Sequence, residues 1–199
     1  MQTDSSTSQQ LFYRRLYGME QFVSTLDEKA ASQDSTSTAL TDEDKEILRN
    51  CHLAKEFAYA PYSKFRVGSA LLAENGKIYL GCNVENAAYG ACICAERTAI
   101  VKAVSEGQKK FRSIAITADI QDQFCLPCGT CRQVLAEFSP DCVLYSVKPD
   151  NQYIRTTVKE ILPHAFTPQH LSMNHQPRQV DTSSKFHKIE TDSQLNEKE

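Results

Sequence analysis

The sequence predicts an α/β fold, a three-layer α-β-α sandwich in which helices cover both faces of a mixed five-stranded sheet. The chain has 199 residues, of which 41% are apolar, enough for one domain with a hydrophobic core. Helix-like and strand-like segments follow one another in the order α-β-β-α-β-α-β-β-α. The alternation in the middle implies parallel neighbours in the sheet, with helices on both faces.

The folded domain is expected to span residues 41–171. Residues 1–40 are rich in Ser, Thr, Gln and Asp and predict a polar, mostly disordered extension with one short helix within 11–30. Residues 172–199 are equally polar and predict a disordered tail.

The first helix of the domain opens at Thr41, because Thr41 followed by Asp44 forms a capping-box pattern. Apolar residues then recur at helical spacing as far as Ala58, and Pro61 is expected to end the helix.

A β-hairpin follows this helix. Residues 66–74 and 77–84 are two strand-like segments, and Asn75-Gly76 between them is a strong hairpin signal.

The middle of the chain alternates helix, strand and helix. Residues 94–106 predict a helix that ends at Gly107, and the apolar, β-branched segment 112–119 predicts a strand. Residues 128–138 predict a second helix, closed by Ser139-Pro140.

The last elements are two strands and a short helix. Residues 142–148 and 152–157 read as strands around a Pro-Asp-Asn turn, and 157–163 reads as a helix.

Charge and hydropathy exclude several classes of partner. The net charge is −3, from 22 basic and 25 acidic residues, so we expect no nucleic-acid partner. No stretch approaches 18 consecutive apolar residues, and the N-terminus carries no apolar signal region, so we expect neither a membrane span nor secretion. A cytoplasmic location, with access to the nucleus, fits these features.

Cysteine is the residue type most suggestive of chemistry. In a reducing compartment, clustered cysteines are more often metal or catalytic sites than disulfides. The eight cysteines are at positions 51, 82, 92, 94, 125, 128, 131 and 142.

The segment 127-PCGTC-131 places a C-x-x-C pair at the start of a predicted helix. Such a pair is typical of a redox-active dithiol or of part of a metal site, and the alternative is a pair of buried thiols without chemistry. Cys94 opens another predicted helix after a strand, which would bring a third thiol to the same end of the sheet. Helix N-termini favour the thiolate form that metals bind.

The number of ligands separates an enzyme from a structural zinc module. A structural site closes with four protein ligands, whereas a catalytic site uses three and keeps a position for water. Cys92 and Cys125 are candidate fourth ligands, although both are expected to be packed thiols, since a C-x-C step does not easily bring both sulfurs to one point.

Glu96 lies two residues after Cys94, so the two side chains point in different directions on a helix. Glu96 is therefore expected one water away from the metal, where a general base belongs. The alternative is a solvated glutamate in a first helical turn, which the helix dipole alone would favour.

The chain resembles the small homotetrameric zinc-dependent cytidine deaminases over residues 41–171. The resemblance rests on segments in the same order and at compatible spacing: 59-YAPYSKFRVGSALL-72, 81-GCNVENAAYGACICAERTAI-100, 127-PCGTC-131 and 161-ILPHAFTPQHL-171.

This resemblance implies that Cys94, Cys128 and Cys131 bind one Zn²⁺ per subunit. Zinc-bound hydroxide would attack C4 of the pyrimidine, while Glu96 carries protons to N3 and to the departing ammonia. Arg97 matches an arginine that hydrogen-bonds the ligand sulfurs and offsets their negative charge. The alternative for Arg97 is a surface ion pair.

The resemblance also implies a nucleoside site. Phe65 would stack on the base, Asn83 and Glu85 would bind the ribose 3′ hydroxyl, and the backbone near Ala95 would read the base edge.

Three further aromatic residues, Tyr62, Tyr89 and Phe166, match positions that close neighbouring subunits' sites. Tyr62 is assigned to the subunit interface, whereas Tyr89 and Phe166 are assigned to substrate binding. By residue type alone, each would more often be ordinary packing.

The expected reaction converts cytidine and 2′-deoxycytidine to uridine and 2′-deoxyuridine in pyrimidine salvage. Polynucleotides and nucleotides fit less well, because we find neither a basic, aromatic groove nor a phosphate-binding cluster. A deaminase of a cytosine-containing antibiotic shares the zinc motif and is the nearest alternative. A structural zinc module and a dithiol oxidoreductase remain open as other classes, although neither explains Glu96.

Overall fold

The structure is a computed structural model that describes residues 40–172. The predicted extension and tail, 1–40 and 172–199, lie almost wholly outside the described residues. The elements in chain order are α1 (Asp42–Lys55), β1 (Val67–Ala73), β2 (Ile78–Cys82), a 3₁₀ turn (Tyr89–Ala91), α2 (Ala95–Ser105), β3 (Phe111–Ala118), α3 (Gly129–Phe138), β4 (Val143–Val147), β5 (Tyr153–Thr157), α4 (Val158–Ile161) and α5 (Pro168–Ser172).

The five strands form one mixed sheet in the order β2-β1-β3-β4-β5, which confirms the predicted fold class. Strands β3 and β4 are parallel, whereas the other three pairs are antiparallel. The parallel pair is connected through α3, as a crossover between parallel strands requires.

The sheet buries both of its faces, because successive strand residues point to opposite sides. On one face, Leu71 and Ile114 pack with residues of α2, α3 and α4. On the other face, Leu72 and Ala115 pack against α1. Side chains of the two neighbouring β1 residues thus enter different cores, which gives the three layers.

Helix α1 begins as predicted and ends earlier than predicted. The Thr41 hydroxyl accepts a hydrogen bond from the Asp44 amide at 3.1 Å, and the Asp44 carboxylate accepts from the Thr41 amide. The helix ends at Lys55, six residues before Pro61. The chain leaves the helix there because Tyr59 forms a bridge with Val84, which holds the following loop against the end of β2.

Short turns join the two pairs of consecutive antiparallel strands, β1 to β2 and β4 to β5. The predicted hairpin between β1 and β2 is present, with Gly76 in the left-handed region at φ 84°. The turn between β4 and β5 uses Asn151 at φ 69°, a residue type that tolerates this region.

Of the described residues, 40–167 belong to one compact unit, and α5 belongs to a second unit that begins at Pro168. Among the described residues, no helix has the length and apolar character needed to cross a bilayer.

Candidate active site

Three thiols meet where two helices begin. Cys94 is the N-cap of α2, Cys128 is the N-cap of α3, and Cys131 lies in the first turn of α3. Their sulfur atoms all lie within 4.8 Å of one another, the single such group of potential metal ligands in residues 40–172. The structure therefore brings together the three residues that the sequence predicted as ligands.

Close packing of α2 on the sheet positions this group. A Cβ atom on Gly81 of β2 would lie 2.2 Å from the Ala95 carbonyl oxygen and 2.5 Å from the Ala99 nitrogen. Only glycine permits such an approach. The first turn of α2, with Cys94 before it and Glu96 within it, consequently rests directly on β2.

The thiols are hydrogen-bonded to one another. The Cys128 sulfur lies 3.5 Å from that of Cys131 and 3.9 Å from that of Cys94. A hydrogen bond from Cys131, and others from Arg97 and Cys128, lower the pKa of the Cys94 thiol to about 5. Donating that hydrogen bond, together with burial, raises the pKa of Cys131. These hydrogen bonds therefore favour the thiolate form of Cys94.

Neither candidate fourth cysteine joins the group. The Cys92 sulfur accepts a hydrogen bond from the Asn86 amide at 3.3 Å, inside its own loop. The Cys125 carbonyl accepts from the Ser146 hydroxyl at 2.9 Å, and burial raises the pKa of the Cys125 thiol to about 11. Both therefore behave as packed thiols, and the metal site has three protein ligands.

The three thiols fit a zinc ion. Zinc is bound by cysteine thiolates in tetrahedral geometry, and a site with three protein ligands leaves one position for water or substrate. The short sulfur–sulfur separations and the depressed pKa of Cys94 suit this metal. A closed structural site would require a fourth ligand, which the described residues do not supply.

Glu96 is a carboxylate in an apolar position, with a side chain that is 4% exposed. Burial raises its pKa above the ordinary value, and the Cys94 thiolate raises it further, while its own backbone amide opposes the shift. The side chain interacts with Cys131 but is not part of the thiol group. This environment contradicts a solvated glutamate and suits a group that takes up and releases a proton.

Arg97 lies beside the thiols. Its Nη2 atom is 3.6 Å from the Cys94 sulfur and 3.3 Å from the Cys92 carbonyl oxygen, to which it donates. The guanidinium is therefore engaged at the sulfur site and not in a surface ion pair. Its positive charge stabilises the thiolate form of Cys94.

A second cluster lies in the loops that join α1 to β1 and β2 to α2. Val84 pairs with both Tyr59 and Ile93, so the segment that carries Asn83 and Glu85 lies beside the residues preceding Cys94. The Asn83 side chain donates to the Phe65 carbonyl at 2.8 Å and accepts from the Val67 amide at 2.8 Å.

These hydrogen bonds show that Asn83 holds the start of β1. The Phe65 ring is 38% exposed and therefore available for contact with a ligand. Ala95 is buried at the start of α2, between the thiol group and β2.

The aromatic residues predicted at subunit boundaries are on the surface. Tyr89 is 75% exposed, Phe166 is 58% exposed, and Tyr62 contacts Tyr89 edge-to-face with ring centroids 6.1 Å apart. None of the three rings is buried in a hydrophobic core of the described residues, and their assignment to subunit boundaries stays a prediction.

Three residues that support the site were missed from the sequence. Gly81 permits the close approach of α2, and Ser63 hydrogen-bonds Glu85. The Arg132 guanidinium donates to the Pro127 carbonyl at 2.8 Å and to the Ile161 carbonyl at 3.0 Å, which ties the loop before Cys128 to the end of α4. Ala95, Glu85 and Ile161, the partners that give these residues their roles, lie 14 or more residues away in the sequence, so no local pattern could have indicated the roles.

Comparison with known proteins identifies the family. Residues 41–147 match the cytidine and deoxycytidylate deaminase zinc-binding region. The chain is 49% identical to a cytidine deaminase of Sporosarcina psychrophila over 131 residues, 64% of this chain and 94% of that protein. It is 48% identical to a probable cytidine deaminase of Dictyostelium discoideum over 118 residues, 59% of this chain and 80% of that one.

A solved structure of similar fold is also a cytidine deaminase, in agreement with the family match and with the two relatives. The crystal structure of cytidine deaminase from Burkholderia pseudomallei is 39% identical, with a TM-score of 0.60, and the match covers 64% of this chain and all of that one. The fold, the three thiols and the matched region lead to one conclusion. This chain belongs to the cytidine and deoxycytidylate deaminase family of zinc-binding enzymes.

Proposed function

We propose that residues 41–171 catalyse the hydrolytic deamination of cytidine and 2′-deoxycytidine to uridine and 2′-deoxyuridine, with release of ammonia. The observation that carries this proposal is the combination of three thiols with a buried glutamate directly beside them. The relatives named cytidine deaminase support the choice of substrate over a cytosine-containing antibiotic.

Cys94, Cys128 and Cys131 hold the metal in this proposal. Bound zinc supplies a nucleophile at neutral pH, because it lowers the pKa of water to about 7. Arg97 stabilises the negative charge of the ligand sulfurs.

Glu96 moves the protons. Its carboxylate accepts a proton from the attacking water and donates it to N3 of the pyrimidine as the new bond to C4 forms. It then transfers a proton from the added hydroxyl to the exocyclic amine, which leaves as ammonia. The reaction consumes one water and needs no oxidant. The raised pKa of Glu96 supports this role, because the side chain must hold a proton between the two transfers.

Residues from the loop cluster bind the nucleoside. The exposed Phe65 ring stacks on the base, since aromatic faces pack well against planar heterocycles. Glu85 and Asn83 bind the ribose 3′ hydroxyl, and the backbone at Ala95 contacts the base edge beside the metal. Tyr89 and Phe166 complete the site of a neighbouring subunit, with Tyr62 at the interface of a homotetramer.

Pyrimidine salvage in the cytoplasm is the setting that fits such a reaction. A free nucleoside suits the net charge of −3 better than a polynucleotide or a nucleotide, both of which carry phosphate.

The substrate is tested by ultraviolet absorbance with purified, zinc-loaded protein. We expect turnover of cytidine and 2′-deoxycytidine, and rates about 100-fold lower for deoxycytidylate and for a cytosine-containing single-stranded oligonucleotide. Faster turnover of the phosphorylated substrates than of cytidine would contradict the assignment to free nucleosides.

A further inference from the structure

The Glu85 carboxylate is held by a turn of the neighbouring loop. Its Oε2 atom accepts hydrogen bonds from the Tyr62 amide at 2.8 Å and from the Ser63 amide at 3.2 Å. Its Oε1 atom accepts from the Ser63 hydroxyl. Both carboxylate oxygens are therefore fixed by two consecutive residues.

The same hydroxyl reaches Phe65. The Ser63 Oγ atom accepts a hydrogen bond from the Phe65 amide at 3.0 Å. One oxygen atom thus joins the Glu85 carboxylate to the backbone that carries the Phe65 ring. On its other side, the Phe65 carbonyl accepts from the Asn83 side chain.

Lys64, between Ser63 and Phe65, has a backbone conformation that is unfavourable without stabilising contacts. Lys64 lies in the left-handed region at φ 57°, which is uncommon for a residue other than glycine. The Lys64 amide donates to the Ala60 carbonyl at 3.1 Å, which closes the turn on itself. The hydrogen bonds of Ser63 hold the chain on both sides of this residue.

We propose that Ser63 is a positioning residue for nucleoside recognition, because its hydroxyl sets the Glu85 carboxylate and the Phe65 backbone in one preorganised arrangement. The ribose and the base are then bound by a single hydrogen-bonded unit. This inference rests on the proposed function, which assigns ribose to Glu85 and the base to Phe65.

The hydrogen-bonding capacity of the carboxylate agrees with this role. An ionised carboxylate has about four acceptor sites, and the loop occupies three of them. The site left on Oε1 can accept a ribose hydroxyl. The hydrogen bond from Ser63 also lowers the pKa of Glu85, so the side chain is an ionised acceptor.

The test uses a pair of substrates that differ in a single hydroxyl. We expect Ser63→Ala to lower kcat/KM for cytidine by about 10- to 100-fold, mainly through KM, because a charge-assisted hydrogen bond that orients Glu85 is removed. For 3′-deoxycytidine, which offers no 3′ hydroxyl to Glu85, the expected loss is several-fold smaller. Ser63→Thr keeps a hydroxyl and is expected to restore most of the activity on cytidine.

Ser105→Ala is the matched control, since the Ser105 hydroxyl is exposed and donates only within α2, to the Lys102 carbonyl. Zinc content and Tm, measured for every variant, exclude a folding defect as the cause. Equal losses on the two substrates, or no loss on cytidine, would overturn the role of Ser63 while leaving the proposed function intact. A wild-type protein that does not deaminate cytidine overturns the proposed function itself.

Discussion

The cysteine thiols of this protein differ in pKa because their surroundings differ. Burial raises the pKa of Cys142 to about 12, and Cys51 is also buried, so both act as small apolar residues. Cys94 has a pKa of about 5 because hydrogen bonds from neighbouring thiols and from Arg97 stabilise its thiolate. The sequence could rank Cys92 below Cys94 as a ligand, because the spacing of the two thiols disfavours a shared metal.

The sequence could not indicate how Glu96 would be buried. The spacings C-A-E and C-x-x-C made these residues candidates, and the family resemblance assigned the three ligands and the base. The closeness of α2 to the sheet, which excludes water from Glu96, depends on Gly81 and becomes visible only in three dimensions.

A buried histidine on α1 predicts how stability depends on pH. Burial, and the nearby charge of Lys55, lower the pKa of His52 to about 4. The unfolded chain binds this proton below about pH 6.5 while the folded chain does not, so acid favours unfolding. We expect His52 to reduce the free energy of unfolding by about 3 kcal/mol as the pH falls from 7 to 4.

The measurement is denaturant unfolding at several pH values for the wild type and for His52→Gln. Both proteins share the metal thiols and Glu96, so the difference between their pH profiles isolates His52. Asp119, which pairs with Lys55 at 2.6 Å, has a lowered pKa and titrates below this window. If the free energy of unfolding falls equally for the two proteins between pH 7 and pH 4, His52 is not the cause of the loss of stability.

The metal site lies at the N-termini of two helices. Both α2 and α3 begin after an N-cap cysteine whose backbone is still extended, so two of the three thiols lie at helix N-termini, where the helix dipole favours the thiolate form. Hydrophobic periodicity and turn residues predicted these two helices to within a residue. The end of α1 was mispredicted because the Tyr59–Val84 bridge outweighs the local signal of Pro61.

Gly81→Ala should disturb the metal site through α2. A Cβ atom 2.2 Å from the Ala95 carbonyl forces the helix away from β2, and we expect a loss of about 1–3 kcal/mol in the free energy of unfolding. Zinc affinity should fall as well, because Cys94 moves with the helix.

Thermal unfolding and metal titration check this prediction against Gly90→Ala, where a Cβ atom meets no other atom within 4 Å. We expect Gly90→Ala to change the free energy of unfolding by less than about 0.5 kcal/mol. Wild-type zinc affinity in Gly81→Ala would mean that the close contact does not position the ligand.

At the scale of the whole molecule, three large aromatic rings lie on the surface of the chain. Tyr62, Tyr89 and Phe166 are exposed, although large aromatic rings tend to be buried when they can be. The sequence resemblance assigned them to subunit boundaries, and no propensity argument could have done so, because contacts between copies leave no periodic pattern.

A mixing experiment tests whether subunits share sites. The Glu96→Gln and Phe166→Ala variants are each expected to have strongly reduced deaminase activity. The first lacks the proton carrier, and the second lacks the ring proposed to complete a neighbour's site. If Phe166 completes a neighbour's site, random hybrid tetramers contain about a quarter of sites with both groups intact. Activity should therefore reappear after co-refolding, with assembly followed by sedimentation. Hybrids that are no more active than the single variants, or a fully active monomer, would contradict the prediction that two subunits share each site.

The role of Glu96 is tested by the rate of cytidine conversion to uridine by the wild type and by Glu96→Gln, with zinc content determined on the same samples. We expect the variant to keep its zinc, because Cys94, Cys128 and Cys131 are unchanged, and to lose about 10³-fold in rate, because the proton carrier is gone. A variant that retains zinc and works within a few-fold of the wild-type rate would show that Glu96 is not the proton carrier.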